Sequence, residues 1–132
     1  MIRALITGIA GFAGSHLAEL LLNRGDVDVS GVLVGDGFTD NISHIRHQLT
    51  LVEGDLTDSQ FVQRVFQELR PDYVFHLAAQ ADVHLSLSAP TQTLINNICC
   101  QVAVLEAARQ LAVHPKVLTV GSADEYGLVR PE

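Results

Sequence analysis

Residues 3–14 read Arg-Ala-Leu-Ile-Thr-Gly-Ile-Ala-Gly-Phe-Ala-Gly, a short apolar strand that runs directly into three glycines spaced three residues apart. Gly8 tolerates the positive φ of a sharp turn at the end of a strand. Gly11 leaves room for a diphosphate to approach the backbone, and Gly14 lets the next helix pack closely on the strand. The free N–H groups and the positive dipole end of that helix then face the anion. The stretch therefore predicts a phosphate-binding turn after the first β-strand.

The spacing of these glycines differs from the common dinucleotide fingerprint. That fingerprint is G-x-G-x-x-G, whereas Ala10 occupies its second glycine and the chain reads T-G-x-x-G-x-x-G from Thr7 to Gly14. The apolar strand before the glycines and the amphipathic segment after them favour a bound cofactor. A tight strand-to-helix turn without a ligand stays open as the alternative.

Composition limits the classes of function. The chain has 132 residues, 48% of them hydrophobic, and a net charge of −7, which fits one domain with a substantial core. The acidic balance argues against nucleic acid or an anionic membrane surface as a main partner. No apolar run reaches the roughly 18 residues that cross a bilayer, so we expect no membrane partner.

The amino terminus and the cysteines point to a reducing compartment. Met1 is followed at once by strand residues without a cleavable signal. Cys99 and Cys100 are adjacent and have no zinc-ligand spacing. We therefore expect a cytoplasmic protein with no metal site, and we interpret His76 as a packing residue rather than a ligand.

Strand and helix patterns alternate along the chain. The predicted strands are 3–7, 27–34, 49–52, 73–79 and 116–120, and the predicted helices are 12–24, one between Thr57 and Pro71, and one between Pro90 and Pro115. Residues 35–48 form a polar connection with room for a short helical turn. Thr57 and Gln60 match a capping box. The apolar residues expected to face inward from the long helix are Leu94, Ile95, Ile98, Val102, Leu105 and Ala108.

This alternation predicts an α/β fold, a doubly wound parallel sheet of the Rossmann type with helices on both faces. We expect the strand order 3-2-1-4-5. The ligand crevice then lies at the carboxyl ends of strands one and four, where the order reverses.

Five motifs resemble the extended short-chain dehydrogenase/reductase family, in particular its nucleotide-sugar epimerases, dehydratases and reductases. They are TGIAGFAGSHLAE at 7–19, EGDLTD at 53–58, RPDYVFHLAAQ at 70–80, VHLSLSAP at 83–90 and VGSADEYG at 120–127. They occur in the family's order and cover nearly the whole chain. The most similar subgroup contains GDP-mannose 4,6-dehydratase and GDP-4-keto-6-deoxy-mannose reductase, which implies a GDP-hexose substrate.

The resemblance implies a set of cofactor-binding residues. The pyrophosphate would be held by Gly8, Gly11, Phe12, Ala13 and Gly14. Adenine would contact Asp55 and Leu56, and the cofactor's ribose and diphosphate would contact Leu77, Ala78, Ala79 and Gln80. Asn97 matches the asparagine of the long helix, with Asn96 as the alternative.

The resemblance also implies roles toward the sugar. Ser122 matches the residue that hydrogen-bonds the reacting hydroxyl, and Ser86 matches a serine near the sugar phosphates. Asp124 occupies the position of the dehydratases' glutamate, which removes a proton next to a transient ketone. Asp is one methylene shorter than Glu, and Ala123 stands where some dehydratases carry a second acid, so a reductase or epimerase is favoured. A structural role for Asp124 in capping the turn stays open.

The choice between NAD and NADP depends on the end of the second strand. NAD enzymes carry an acid there for the ribose hydroxyls, and NADP enzymes often carry Arg. Leu33 and Val34 occupy this position, while Asp36 follows slightly later and could reach back. No Arg or Lys lies between Gly25 and Ile45, so NAD is favoured over NADP.

The family's catalytic Tyr-x-x-x-Lys does not occur in these 132 residues, which contain two tyrosines and one lysine. We therefore expect the cofactor-binding, amino-terminal part of a longer enzyme, inactive alone. Strand five would leave an open edge, which favours a homo-oligomer. Two alternatives remain open: a non-catalytic dinucleotide sensor, and an unrelated doubly wound module of the receiver or flavodoxin type.

Overall fold

A computed structural model describes residues 1–35 and 39–127, without the side chains of Ala123 and Asp124. It contains one five-stranded parallel sheet in the order β3-β2-β1-β4-β5, which confirms the predicted topology. In chain order the elements are β1 (Ile2–Thr7), α1 (Phe12–Arg24), β2 (Val27–Leu33), 3₁₀ turns at Asp40–Ile42 and Arg46–Gln48, β3 (Thr50–Glu53), α2 (Ser59–Leu69), β4 (Tyr73–His76), α3 (Val83–Ser88), α4 (Pro90–Gln110), β5 (Lys116–Thr119) and a 3₁₀ turn at Ala123–Tyr126.

The register of β1 with β2 and with β4 places the carboxyl ends of these three strands side by side. Thr7, the last residue of β1, pairs with Val32 of β2 on one side and with His76 of β4 on the other. The chain leaves β1 and β4 in the same direction, toward opposite faces of the sheet. A crevice at this point follows from the strand order, because no connection crosses it.

Side chains alternate between two cores, one on each face of the sheet. Leu5 and Val74 point toward α2 and α4, whereas Ala4 and Ile6 point toward α1. The second core also includes Ile42, from the connection after β2, which is fully buried. Both faces of a parallel sheet must be covered because its strands are apolar on both sides.

The start of α2 differs from the predicted capping box. Asp58 is the N-cap, and its Oδ1 accepts from the backbone N–H groups of Gln60 at 2.9 Å and Phe61 at 3.2 Å. Thr57 bonds Asp55 instead, through both its N–H and its hydroxyl. The helix therefore begins one residue later, because the preceding carboxylate recruits Thr57 into its own turn.

The inward face of α4 was also predicted wrongly. Leu94, Ile95, Ile98, Val102 and Leu105 are between 43% and 60% exposed, and of the predicted set Ala108 alone is buried. The buried face carries mostly small residues: Thr93, Cys100, Ala103, Val104, Ala107 and Ala108. Small side chains let α4 approach α2 and the sheet closely, so packing selects them over the larger apolar residues.

Among the described residues, no helix combines the length and the apolar content that a bilayer span requires.

Candidate dinucleotide-binding site

The turn after β1 is shaped by two glycines that other residues could not replace. Gly8 has a φ of +73°, and a Cβ there would lie 2.9 Å from the backbone nitrogen of Ala78. A Cβ on Gly14 would lie 2.2 Å from the carbonyl oxygen of Gly8. Gly11 has an ordinary φ of −71°, and its N–H donates to the Gly8 carbonyl at 3.0 Å. The turn thus brings β1, β4 and the first turn of α1 into direct backbone proximity.

The amino terminus of α1 is open. Gly11 is the N-cap, and among the described residues no side chain accepts a hydrogen bond there. The shorter helices differ: Asp58 caps α2 and Asp82 caps α3. The side chains of Phe12 and Ala13 are exposed, with Phe12 at 81%. The first-turn N–H groups of α1 therefore have no side-chain partner, and with the positive dipole end they follow directly on Gly11, which lines the crevice, an arrangement that suits a phosphate.

The chain after β4 forms the opposite wall. β4 ends at His76, three residues before the end of the predicted strand 73–79. The backbone that follows nevertheless stays hydrogen-bonded to β1. The N–H of Leu77 donates to the Thr7 carbonyl at 3.2 Å, and that of Ala78 donates to the Thr7 hydroxyl at 3.2 Å. This wall is consequently fixed to the end of β1.

Asn97 holds the same wall from α4. Its Oδ1 accepts from the N–H of Gln80 at 2.7 Å, and its Nδ2 donates to the carbonyl of Gln80 at 3.2 Å. Asn96 donates to the Asn97 Oδ1 at 3.2 Å. Both ends of the Asn97 amide thus engage backbone, which explains why a half-buried asparagine suits this position on α4.

Two adjoining cavities make up the crevice. One, of about 360 Å³, is lined by the glycine turn, the end of β2 and Leu77. The other, of about 320 Å³, is lined by Asp55, Leu56, Gln80 and Asn96 among others. Val34, Ala78 and Ala79 line both. The crevice therefore runs from the amino terminus of α1 to Asp55, within the size range of small-molecule sites.

Asp55 presents an ionised carboxylate at the far end of this crevice. Its Oδ1 accepts from the N–H and the hydroxyl of Thr57, both at 2.8 Å. These bonds, the backbone one first, hold the pKa of Asp55 below its usual range. Both involve Oδ1, so Oδ2 is the oxygen available to an exocyclic amine. Leu56 is buried beside it.

Thr7 and His76 form a buried polar pair that the sequence interpretation treated only as strand packing. The Thr7 hydroxyl lies 2.8 Å from His76 Nδ1. This hydroxyl already accepts from the Ala78 N–H, so it donates its own proton to Nδ1. An imidazole that accepts at Nδ1 carries its proton on Nε2 and is neutral. Burial lowers the pKa of His76 in the same direction. No local pattern pointed to the pair, because the predicted fourth strand ran on to residue 79 and the two residues are 69 positions apart.

We expect His76 to make stability depend on pH. An unfolded histidine has a pKa near 6.5, and the folded pKa is lower, so below pH 6.5 the unfolded chain binds a proton that the folded chain excludes. The free energy of unfolding should fall as pH drops from 7.5 toward 5.5, by up to about 1.4 kcal/mol per pH unit. Urea unfolding at several pH values measures this slope. His76→Gln should flatten it, whereas His114→Gln, at an exposed histidine, should keep the wild-type slope; equal slopes in all three would contradict the assignment.

Two further predicted residues do not line either cavity, and two lie outside the described part. Ser86 is on α3, and its hydroxyl donates to the Val83 carbonyl at 2.8 Å. Ser122 is exposed just before the last 3₁₀ turn, and its carbonyl accepts from the N–H of Glu125. Asp36 and the side chain of Asp124 lie outside the described residues. Sequence reasoning missed Asn41, whose Nδ2 donates to the Ala10 carbonyl within the glycine turn.

Comparison with known proteins gives concordant matches. Residues 5–132 match the family model described as GDP-mannose 4,6 dehydratase. UDP-glucuronate 4-epimerase 6 of Arabidopsis thaliana is 34% identical, over 96% of this chain and 29% of the relative. GDP-mannose 4,6-dehydratase of Vibrio cholerae is 35% identical, over 97% of this chain and 37% of the relative. The structure of Thermus thermophilus UDP-glucose 4-epimerase in complex with NAD has a TM-score of 0.72 and 39% identity, over 83% of this chain and 34% of that one.

The sheet order, the glycine turn and the open helix terminus define a doubly wound α/β fold of the Rossmann type. The chain belongs to the extended short-chain dehydrogenase/reductase family, in the group that the GDP-mannose 4,6 dehydratase model describes. It spans about a third of the length of the curated relatives that it matches. The resemblance seen in the five sequence motifs is thereby confirmed.

Proposed function

We propose that this chain binds NAD along the crevice and serves as the cofactor-binding part of an enzyme acting on a nucleotide sugar. The observation that carries the proposal is the amino terminus of α1, which has no side-chain cap. It follows a turn in which a Cβ on Gly8 or Gly14 would collide with backbone atoms. The diphosphate would accept from the first-turn N–H groups of Phe12, Ala13 and Gly14, next to Gly8 and Gly11 of the turn. Adenine would donate to Asp55 beside Leu56.

The opposite wall would support the cofactor's ribose and diphosphate. Leu77, Ala78, Ala79 and Gln80 line the crevice, and Asn97 holds the backbone of Gln80. NAD is favoured over NADP because no Arg or Lys between Gly25 and Ile45 would neutralise a 2′-phosphate. Asp36 remains the proposed acid for the ribose hydroxyls.

A bound nicotinamide would supply reversible hydride transfer at a hexose carbon. Within this proposal Ser122 hydrogen-bonds the reacting hydroxyl, Asp124 moves a proton, and Ser86 lies near the substrate phosphates. A GDP-hexose is the favoured substrate, supported by the family model and the Vibrio relative. The UDP-sugar epimerases among the relatives make UDP-hexoses the comparison to test.

The 132 residues contain no Tyr-x-x-x-Lys, so we propose that they bind cofactor without turnover. The second candidate is a dinucleotide sensor without catalysis, which the same crevice would serve. The full gene separates the two, because only the enzyme needs a Tyr-x-x-x-Lys, and a turnover assay of the full gene product with NAD and GDP- or UDP-hexoses checks the result.

Isothermal titration calorimetry of the chain with NAD, NADP and ADP tests the binding proposal. We expect NAD and ADP to bind, and NADP to bind at least about tenfold more weakly because the uncompensated 2′-phosphate costs of the order of 1.4 kcal/mol. Asp55→Asn should weaken NAD severalfold. Asp28→Asn serves as the control and should bind like the wild type. Asp28 is an exposed aspartate of β2, four residues before Val32, and it does not line the crevice. A folded chain that binds none of the three nucleotides would refute the proposal.

We further propose self-association. β5 lies at one end of the sheet with Leu118 exposed, and the exposed apolar residues of α4 add a second surface. Unpaired strand edges and apolar patches both favour pairing with another copy. Light scattering over a range of concentrations should show dimers or larger species, and a monomer throughout would contradict this.

A further inference from the structure

A contact from outside the glycine turn holds its central peptide. Asn41 lies in the 3₁₀ turn that follows β2, and its Nδ2 donates to the Ala10 carbonyl oxygen at 2.9 Å. The two residues are 31 positions apart. Ala10 occupies the position where the common fingerprint has its second glycine.

The segment that carries Asn41 is itself anchored beside α1. Its neighbour Ile42 is fully buried in the same core cluster as Ile9. His44 Nε2 lies 2.7 Å from the Glu19 carboxylate of α1. The Asn41 amide is therefore presented to the turn from a fixed support rather than from a free loop.

Both sides of the Ala10–Gly11 peptide are consequently bonded. In a planar trans peptide the carbonyl and the N–H point in opposite directions. The carbonyl accepts from Asn41, and the N–H donates to the Gly8 carbonyl at 3.0 Å. These two bonds fix the orientation of the peptide that immediately precedes the first turn of α1.

We propose that Asn41 is a positioning residue for diphosphate binding, acting through the Ala10 carbonyl and not by contact with the nucleotide. A turn with three glycines has a high conformational entropy when unrestrained. Ordering it before the ligand arrives removes part of the cost of binding. The inference rests on the proposed binding of NAD.

Two measurements on Asn41→Ala and Asn41→Asp test it, with Asn23→Ala as the control at an exposed asparagine of α1. Asn41→Asp keeps the shape but replaces the donor with a negatively charged carboxylate, so the uncharged Asn41→Ala decides the positioning role. Amide hydrogen exchange in the ligand-free chain should become several times faster at Gly11, whose N–H donates to the Gly8 carbonyl, in both Asn41 variants and stay unchanged in the control. NAD should bind about tenfold more weakly to both variants, the equivalent of losing one hydrogen bond's contribution, while the melting temperature stays close to that of the wild type.

The outcomes separate this inference from the proposed function. If the wild type does not bind NAD, the proposed function fails and the inference with it. If the wild type binds and the Asn41 variants bind equally well, the inference alone is overturned. If NAD binding weakens while exchange in the turn is unchanged, Asn41 touches the nucleotide directly, and the positioning role is again overturned.

Discussion

Gly14→Ala should destabilise the fold by at least about 2 kcal/mol, although alanine is ordinarily the better helix residue. The new Cβ would lie 2.2 Å from the Gly8 carbonyl oxygen and 2.8 Å from the Ile9 Cα, both backbone atoms that cannot rotate away. Overpacking costs about 1–3 kcal/mol, occasionally more, and a Cβ only 2.2 Å from a backbone atom puts this substitution at or above the upper end of that range. Alanine recovers only about 1 kcal/mol of helix propensity, so the clash wins. Urea unfolding gives the free energy, and we expect NAD binding to be lost as the turn shifts.

Gly11→Ala is the matched control for that experiment. Its Cβ would lie 3.2 Å from the same carbonyl oxygen, and its φ of −71° suits any residue. We expect a change in the free energy of unfolding below about 1 kcal/mol, within the range of ordinary surface substitutions and mild crowding. A Gly14→Ala variant as stable as Gly11→Ala would show that the packing of α1 against β1 is not as close as described.

Thr7→Val should be the second large effect. Valine keeps the volume but removes the hydroxyl that accepts from the Ala78 N–H and pairs with His76 Nδ1. Thr7 is fully buried and His76 nearly so, so water does not replace the hydroxyl at His76 Nδ1, whereas the Ala78 N–H lies beside the crevice and is only part-buried. A buried group left without a partner costs about 1–3 kcal/mol, so we expect a loss of about 1–3 kcal/mol in the free energy of unfolding.

Thr7→Ser separates the hydroxyl from the methyl group. Serine retains both hydrogen bonds and loses one buried methyl, which costs about 1 kcal/mol. Thr7→Val should therefore be clearly less stable than Thr7→Ser, and its Ala78 amide should exchange faster with solvent. If Thr7→Val is as stable as Thr7→Ser or more stable, the hydrogen bonds of the Thr7 hydroxyl add nothing to the free energy of unfolding beyond what packing supplies.

The fold followed from the sequence because its signals were local and consistent. Apolar strands separated by helical periods allow few topologies, and the glycine turn placed the reversal of strand order next to β1. The glycine turn after β1 and the long helix beginning at Pro90 were visible as residue patterns, and the connection expected to hold one short helical turn contains two.

The errors arose where tertiary contacts chose between equivalent local options. Thr57 and Asp58 are both good N-cap residues, and the Asp55 carboxylate decided between them. Along α4, large apolar residues and small ones follow the same period, and close packing on the sheet buried the small ones. No local pattern encodes that choice.

The site was predictable in its glycine turn but not in the contacts that hold it. Asn97 was assigned by resemblance alone, and its two hydrogen bonds to the Gln80 backbone depend on how α4 sits against the end of β4. Asn41 and the buried pair of Thr7 and His76 became visible only from the folded chain, because each contact joins residues 31 or 69 positions apart.

Binding at the opening of α1 is tested by an amide titration of the ¹⁵N-labelled chain with NAD, followed residue by residue. We expect saturable shifts at the amides from Ile9 to Gly14 and at Asp55, Ala78 and Gln80, with little change at the opposite end of the sheet near Asp28. A folded chain whose amides from Ile9 to Gly14 do not respond to saturating NAD would show that the opening of α1 does not bind a dinucleotide.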